Sequence, residues 1–316
     1  MNYRVVASIA IAAAIAFSRP IAFIAQETGR ASEILAAARK AIGGKTLDSL
    51  KTFSVQSTVQ RTAGQMHIQS DVEILLDLPD KYARTETLSG GGDGMVMRGG
   101  GTSGFNGDMP LQKMDGSGPM GGGGMIVRIG PGGTSSTPTN EKPTPEQLEQ
   151  QKRAMLRGSR AEVSRLMLGW FAMAHPASKV SYTYLGEAES TDGKAYVINA
   201  RNDDGFETRL FVDEDSHLPL MITYRGPLPR IVRQTTEVSP DDIQKQLNAM
   251  QAQPPEMGEF TIYFEDWRNV EGVKFPFKMR RATGGTTSEE WNVTSLKVNP
   301  KIDPKKFDPA SPAGLR

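Results

Sequence analysis

Two runs of sequence decide the fold. The first is Thr52-Phe53-Ser54-Val55-Gln56-Ser57-Thr58-Val59; the second is Met66-His67-Ile68-Gln69-Ser70-Asp71-Val72-Glu73-Ile74-Leu75-Leu76. Phe53, Val55, Ser57 and Val59 alternate with polar neighbours in the first, and Met66, Ile68, Ser70, Val72, Ile74 and Leu76 continue the pattern in the second. A period of two marks a strand with one buried face, and a turn near Gly64 joins the runs into a long β-hairpin. His67 falls on the polar face and reads as a solvated surface histidine.

On the N-terminal side, Ile34, Leu35, Ala38, Ala41 and Ile42 recur at helical spacing, predicting a helix over 31–42 that Gly43-Gly44 ends. Residues 89–140 are a different material. Eighteen of the 33 glycines fall between Gly90 and Gly133. That composition buries too little apolar surface to offset chain ordering, so a largely irregular, low-complexity insertion is predicted. Only Thr102 to Asp108 is expected to pair, as a strand containing a turn. Thr144-Pro145-Glu146-Gln147 and Ser159-Arg160-Ala161-Glu162 are start signals for two helices, over 145–157 and 160–175. Pro176 stops the second, whose apolar face carries Val163, Leu166, Met167, Trp170 and Phe171.

Beyond Ser178 the period is again two. Val180, Tyr182 and Tyr184 alternate, as do Tyr196 and Ile198, then Phe206, Thr208, Leu210 and Val212, and Leu218, Leu220, Ile222 and Tyr224. A short helix is expected after Ser239-Pro240, then strands around 260–264, 273–279 and 289–298. Strands joined by short turns, with few helices, argue for one large antiparallel sheet packed on helices.

Composition narrows the function. The formal charge of +1 suggests neither nucleic acid nor an anionic membrane as partner. The chain has no cysteine, which removes disulfides, thiolate metal sites, CxxC redox pairs and a cysteine nucleophile. His67, His175 and His217 are the only histidines, so neither a metal site nor a cofactor is expected. Arg4 followed by the apolar run Val5 to Phe17 reads as an export signal, with cleavage proposed after Ala25. The alternative is an uncleaved N-terminal membrane anchor. The predicted organisation is a signal peptide at 1–25, one domain at 26–310 holding the insertion, and a tail at 311–316. Cleavage would move the net charge from +1 to −1 by removing Arg4 and Arg19.

Motif matches carry little chemistry. Gly99 to Gly104 fits GxGxxG but sits inside low-complexity glycine, without the strand before and helix after that a dinucleotide site needs. Gly44-Lys45-Thr46 follows a helix instead of opening one, as a helix end does. Asp213-Glu214-Asp215 reads as a hairpin turn, lacking the spaced ligands of a calcium loop. Asn292-Val293-Thr294 is a formal glycosylation sequon. No serine is framed as a nucleophile elbow, and no catalytic residue is expected.

The order of several short stretches resembles the LolA-like family of periplasmic carriers, which includes outer-membrane lipoprotein-sorting proteins and RseB-like relatives. The stretches are the helix at 31–42; Leu78-Pro79-Asp80-Lys81-Tyr82-Ala83-Arg84; and Gly104-Phe105-Asn106-Gly107-Asp108. The second half adds Leu210-Phe211-Val212-Asp213, Leu218-Pro219-Leu220, Val270-Glu271-Gly272-Val273-Lys274-Phe275-Pro276, Asn299 to Asp303, and Phe307-Asp308-Pro309. The resemblance implies a mainly β (α+β) fold: a single curved, unclosed antiparallel β half-barrel with helices packed on its concave face. It further implies a cavity for lipoprotein acyl chains. Leu78 departs from the family, whose carriers place a basic residue before the hairpin proline to help hold the helical lid.

These readings predict an exported, periplasmic, non-enzymatic and monomeric protein that binds a lipid or an acylated lipoprotein. The alternative is an envelope sensor on the same fold, reading a protein partner that could be membrane-bound. Candidate cavity residues are Phe53, Val55, Val72, Ile74, Val163, Leu166, Met167, Trp170, Phe171, Tyr182, Tyr184, Leu210 and Val212. Sequence leaves open whether they line an open cavity or a solid core. In the cavity case, Trp170→Ala weakens uptake of a fatty-acid probe more than it lowers stability.

Overall fold

The computed structural model describes residues 21–63, 66–91, 100–115, 144–190, 193–228 and 254–309. Their strands form one twelve-stranded antiparallel sheet. In the N-terminal part these are β1 (Thr52–Ala63), β2 (Met66–Asp77), β3 (Lys81–Gly91), β4 (Gly100–Asn106) and β5 (Met109–Asp115). Later come β6 (Ser181–Ser190), β7 (Gly193–Arg201), β8 (Glu207–Asp213), β9 (Pro219–Pro227), β10 (Met257–Val270), β11 (Val273–Thr283) and β12 (Thr286–Val298). The order across the sheet is β5-β4-β3-β2-β1-β12-β11-β10-β9-β8-β7-β6.

Each strand therefore pairs with its neighbour in sequence, except where β1 meets β12 and joins the two halves. That seam sets Phe53 opposite Val298, Val59 opposite Trp291 and Arg61 opposite Glu289. Bulges in the β1–β12, β2–β3, β6–β7, β8–β9 and β11–β12 pairings bend the sheet. β5 and β6 are its free edges, so it is a curved half-barrel and not a closed one.

Helix α1 (Ile21–Ile42) and helix α3 (Pro145–Phe171) lie on the concave face, with the single turn α2 (Lys45–Asp48) between α1 and β1. The inward residues of both halves and the buried sides of both helices merge into one large core. On the convex face Leu75, Ala83 and Leu111 pack with Phe307 from the 3₁₀ turn Pro304–Phe307. Ala195, Val197, Phe211 and Met221 form a second small convex cluster.

Several expectations need correction. The two helices expected over 145–157 and 160–175 are one helix, α3. It opens as expected, with the Thr144 hydroxyl accepting from the Gln147 N–H while the Gln147 side chain accepts from the Thr144 N–H. The second start signal is not used: Ser159 stays helical, and Glu162 turns its carboxylate to Arg84 on β3. The helix ends at Phe171, short of Pro176, because Ala172 takes a left-handed conformation (φ 51°) and the Ala174 N–H donates to the Tyr182 hydroxyl.

Within the glycine-rich region, the end of β3 and all of β4 and β5 are sheet, so 89–91 and 100–115 are not irregular. The turn in Thr102–Asp108 falls at its end, at Gly107-Asp108. Glycine serves close strand approach there: a Cβ on Gly104 (φ 152°) would lie 2.0 Å from the Tyr82 carbonyl oxygen. The described part of α1 starts at Ile21 and includes Ala25, the residue before the proposed cleavage point. Among its described side chains, Ala31, Ile34, Leu35, Ala38 and Ile42 are buried. Residues 1–20, 92–99 and 116–143, the helix expected after Ser239-Pro240 and the tail at 311–316 lie outside the described residues.

Candidate functional site

The candidate residues converge. Phe53 and Val55 on β1, Val72 and Ile74 on β2, and Leu210 and Val212 on β8 face inward, and so does the α3 row Val163, Leu166, Met167, Trp170 and Phe171. Tyr182 and Tyr184 on β6 are partly buried at the margin of the same core. The helix approaches the sheet most closely at Gly169, where a Cβ would lie 1.8 Å from the Phe264 ring.

The contact is dense. Phe53 meets Phe171 edge-on with centroids 5.0 Å apart, Trp170 lies 5.1 Å from Phe275, and the Trp170 indole N–H donates to the Met279 sulfur at 3.1 Å. The space bounded by Leu166, Ile262, Met279, Trp291, Arg281 and Glu289 is about 10 Å³. No acyl chain fits beside these side chains while α3 is docked. A cleft of about 610 Å³ opens at the β6 edge, between Gln26, Gly29, Arg30 and Glu33 of α1 and Tyr184, Leu185 and Gly186. Tyr184 joins that cleft to the core.

Under the middle of α3 the inward face changes character. Following the register from β6, one row reads Tyr184, Ile198, Leu210, Ile222, Ile262, Arg281, Glu289 and Arg61. The apolar half of the row thus gives way to charge. The Arg61 Nε donates to Glu289 at 2.7 Å, one of its terminal nitrogens donates to the Ser70 hydroxyl at 3.0 Å, and its guanidinium also pairs with Glu86. Arg84 bridges Glu86, at 3.0 Å, and Glu162 of α3, and its guanidinium lies 4.9 Å from the Trp291 ring centre. Glu289 also accepts from the Trp291 indole, while Arg281 reaches it only at 3.5 Å. From α3, Arg165 stacks on Tyr224 at 4.0 Å.

The titration tendencies follow from this packing. Burial alone would raise the Glu289 pKa, but Arg281, Arg61 and Arg84 hold it well below the usual carboxylate range. Glu86 is lowered in the same way, with Arg84 and Arg61 outweighing burial. Burial works against the charge on Arg84, yet Glu162 and Glu86 keep it protonated and raise its pKa. Arg165 is lowered, first by burial and then by repulsion from Arg281. His175 is lowered to about 4, by burial and the nearby Arg160.

Sequence reasoning missed this cluster. Arg61, Arg84, Glu86, Arg281 and Glu289 sit on the buried parity of their strands but have the polarity of surface residues. The available signal was that each continues an inward alternation: Val59 to Arg61, Tyr82 to Arg84 and Glu86, Met279 to Arg281, Trp291 to Glu289. The weaker motifs also have local explanations. Gly43 and Gly44 N–H groups cap α1 by donating to the Arg39 carbonyl, and Asp213 accepts from the Ser216 N–H in its turn. Gly100–Gly104 lies in β4, which is followed by a turn and another strand. Among the described residues no group of three His, Asp or Glu side chains could hold a metal ion, and no helix is long and apolar enough to cross a membrane.

The chain is similar over most of its length to several solved structures. One is a LolA superfamily protein from Nitrosomonas europaea, at 12% identity and TM-score 0.46, covering 88% of this chain and 97% of that one. A putative outer membrane lipoprotein-sorting protein domain from Vibrio parahaemolyticus matches at 10% identity and TM-score 0.43, over 88% and 97% of the two chains. A DUF1329 family protein from Desulfovibrio piger matches at 8% identity and TM-score 0.40, over 90% and 97%. No family model matches the sequence, and no curated protein does.

Proposed function

We propose that the protein is an exported, non-enzymatic binding protein that holds an acyl chain of a lipid or lipoprotein on its concave face, in the place that α3 occupies in this structure. The observation that carries this reading is the roof. An apolar face spanning an open sheet is covered chiefly by one helix, and ion pairs from Arg84 to Glu162 and from Arg160 to Asp108 fasten that helix to the sheet. A removable cover over a long apolar surface suits a cargo that must be shielded in transit and then released.

Magnitudes favour exchange. Undocking Val163, Leu166, Met167, Trp170 and Phe171 costs about 1.5–3 kcal/mol for each side chain, while an acyl chain of about 15 methylenes regains about 0.8 kcal/mol for each. The two totals are of one size, so binding is reversible and moderate in strength. The cleft between α1 and β6 falls within the range of ~300–1,000 Å³ common for ligand sites and gives the chain a point of entry.

Organic extraction of the purified protein followed by mass spectrometry tests the reading. Acyl species in stoichiometric amount are expected. A protein that is empty on isolation and takes up no fatty-acid probe, but captures one envelope protein, would overturn it in favour of a sensor.

A further inference from the structure

The cluster beneath α3, in which Arg61 and Glu289 are buried and the other members partly buried, is out of balance. Its cations are Arg61, Arg84, Arg165 and Arg281, and its anions are Glu86, Glu162 and Glu289. Arg61 and Arg84 each bridge two of the carboxylates, and Arg281 shares Glu289 with Arg61, which leaves Arg165 without a carboxylate of its own. Arg281 has one contact to Glu289 at 3.5 Å, and its buried Nε–H meets no acceptor among the described residues. Arg165 has no carboxylate within 4.0 Å among the described residues. Its Nε–H is likewise buried without an acceptor, and its guanidinium rests on the rings of Tyr224 and Phe206.

An unsatisfied buried donor is costly, more so when charged, and buried ions persist where they are paired. A cluster kept only for stability would have matched its charges. Cation–π stacking on Tyr224 orients Arg165 but does not neutralise it. The excess is one positive charge, so one monovalent anion restores balance. The surroundings say what that anion is attached to. Arg281 borders the same small space as Leu166, Ile262 and Met279. From Arg281 the inward face of β11 runs through Met279 to Phe275, about 20 Å along the strand, and ends in the aromatic group of Phe53, Trp170 and Phe171.

We propose that Arg165 and Arg281 receive the singly charged anionic head of an acyl ligand, a carboxylate or a phosphate diester, whose chain then lies along β11 toward Phe275 and Phe53. This deepens the acyl-binding reading and rests on it. Lifting α3 carries Arg165 with the helix and opens the space beside Arg281, so the head is taken between a mobile cation and a fixed one. The guanidinium forks suit a planar carboxylate or a phosphate oxygen pair.

Titration calorimetry with laurate, the diester dodecyl methyl phosphate and uncharged dodecanol tests this on wild type, Arg165→Gln and Arg165→Lys. Wild type should bind the better of the two anions at least about tenfold more tightly than dodecanol, a difference of about 1.4 kcal/mol. Arg165→Gln should bring that ratio close to one, whatever its effect on dodecanol affinity through weaker α3 docking, and Arg165→Lys should keep most of it. The tighter anion identifies the head, and either identity supports the site. Equal binding of laurate, dodecyl methyl phosphate and dodecanol by wild type overturns the head-group assignment and leaves acyl binding standing. Binding of none of the three overturns both. Dodecanol binding by Arg165→Gln also reports that the variant is folded.

Discussion

If an acyl chain replaces α3, truncating Trp170 should strengthen binding. Trp170 is fully buried between the helix and the sheet, 5.1 Å from Phe275, 6.1 Å from Phe171 and 6.2 Å from Phe53 between ring centres. Truncating a buried tryptophan costs about 3–5 kcal/mol. That loss falls on the state in which α3 is docked, because only there does the indole fill its site. A ligand that competes with docking gains what the helix loses, up to about two to three decades in affinity at about 1.4 kcal/mol per decade. The gain is capped once the undocked state predominates. This reverses the expectation for a preformed cavity, in which Trp170 touches the ligand and Trp170→Ala weakens uptake. Denaturant unfolding and titration with a fluorescent fatty acid on the same variant give both quantities. The reasoning is refuted by a stability loss of the expected size with unchanged or weaker probe affinity.

Gly169→Ala should lower stability by about 1–3 kcal/mol, since its Cβ would meet the Phe264 ring at 1.8 Å and lift α3. A neutral result in denaturant titration would show that the ring yields. Glu162→Gln should cost about 1–3 kcal/mol by releasing α3 from Arg84, and should raise the rate of probe uptake in stopped-flow mixing. Acid should weaken the fold in two stages. The folded pKa of His175, about 4, lies below its unfolded value near 6.5, so the unfolded state binds the proton first. Stability then falls as pH drops from about 6.5 to about 4, by up to about 3 kcal/mol, and His175→Gln should flatten that slope. Glu289 and Glu86 are depressed, so their contribution is complete above the unfolded carboxylate value near 4.5 and is lost as pH falls below it. Unfolding curves recorded across this range separate the stages.

Much of the concave face was legible because apolar alternation is a local signal. Phe53, Val55, Val72, Ile74, Leu210 and Val212 face inward as their parity requires, and Trp170 and Phe171 meet them from a helix whose stripe was equally plain. The charged half of the face was not legible. Arg61 and Glu289 are 228 residues apart in sequence, and only the β1–β12 seam makes them neighbours. A lone arginine at the end of an alternating run reads as solvent-facing until the opposing carboxylate is placed. The capping signal at Ser159 misled for a related reason. Local hydrogen bonding predicts a helix start there, but the tertiary pairing of Glu162 with Arg84 and the burial of Val163 to Phe171 favour continuing the helix. In the glycine-rich region, composition hid β4 and β5, where the absence of a Cβ at Gly100 and Gly104 lets β4 approach β3 closely.

The most direct test is the distance between α3 and the sheet with ligand bound. The chain has no cysteine, so cysteines introduced at the exposed positions Arg157 on α3 and Asn292 on β12 can be spin-labelled without background. Double electron–electron resonance should give one distance population for the empty protein. Added laurate should shift it to a longer one, by an amount up to about the 8–10 Å thickness of a packed helix, saturating at one laurate per chain. A distribution unchanged at saturating laurate, with the ligand bound, would show that the acyl chain does not take the place of α3.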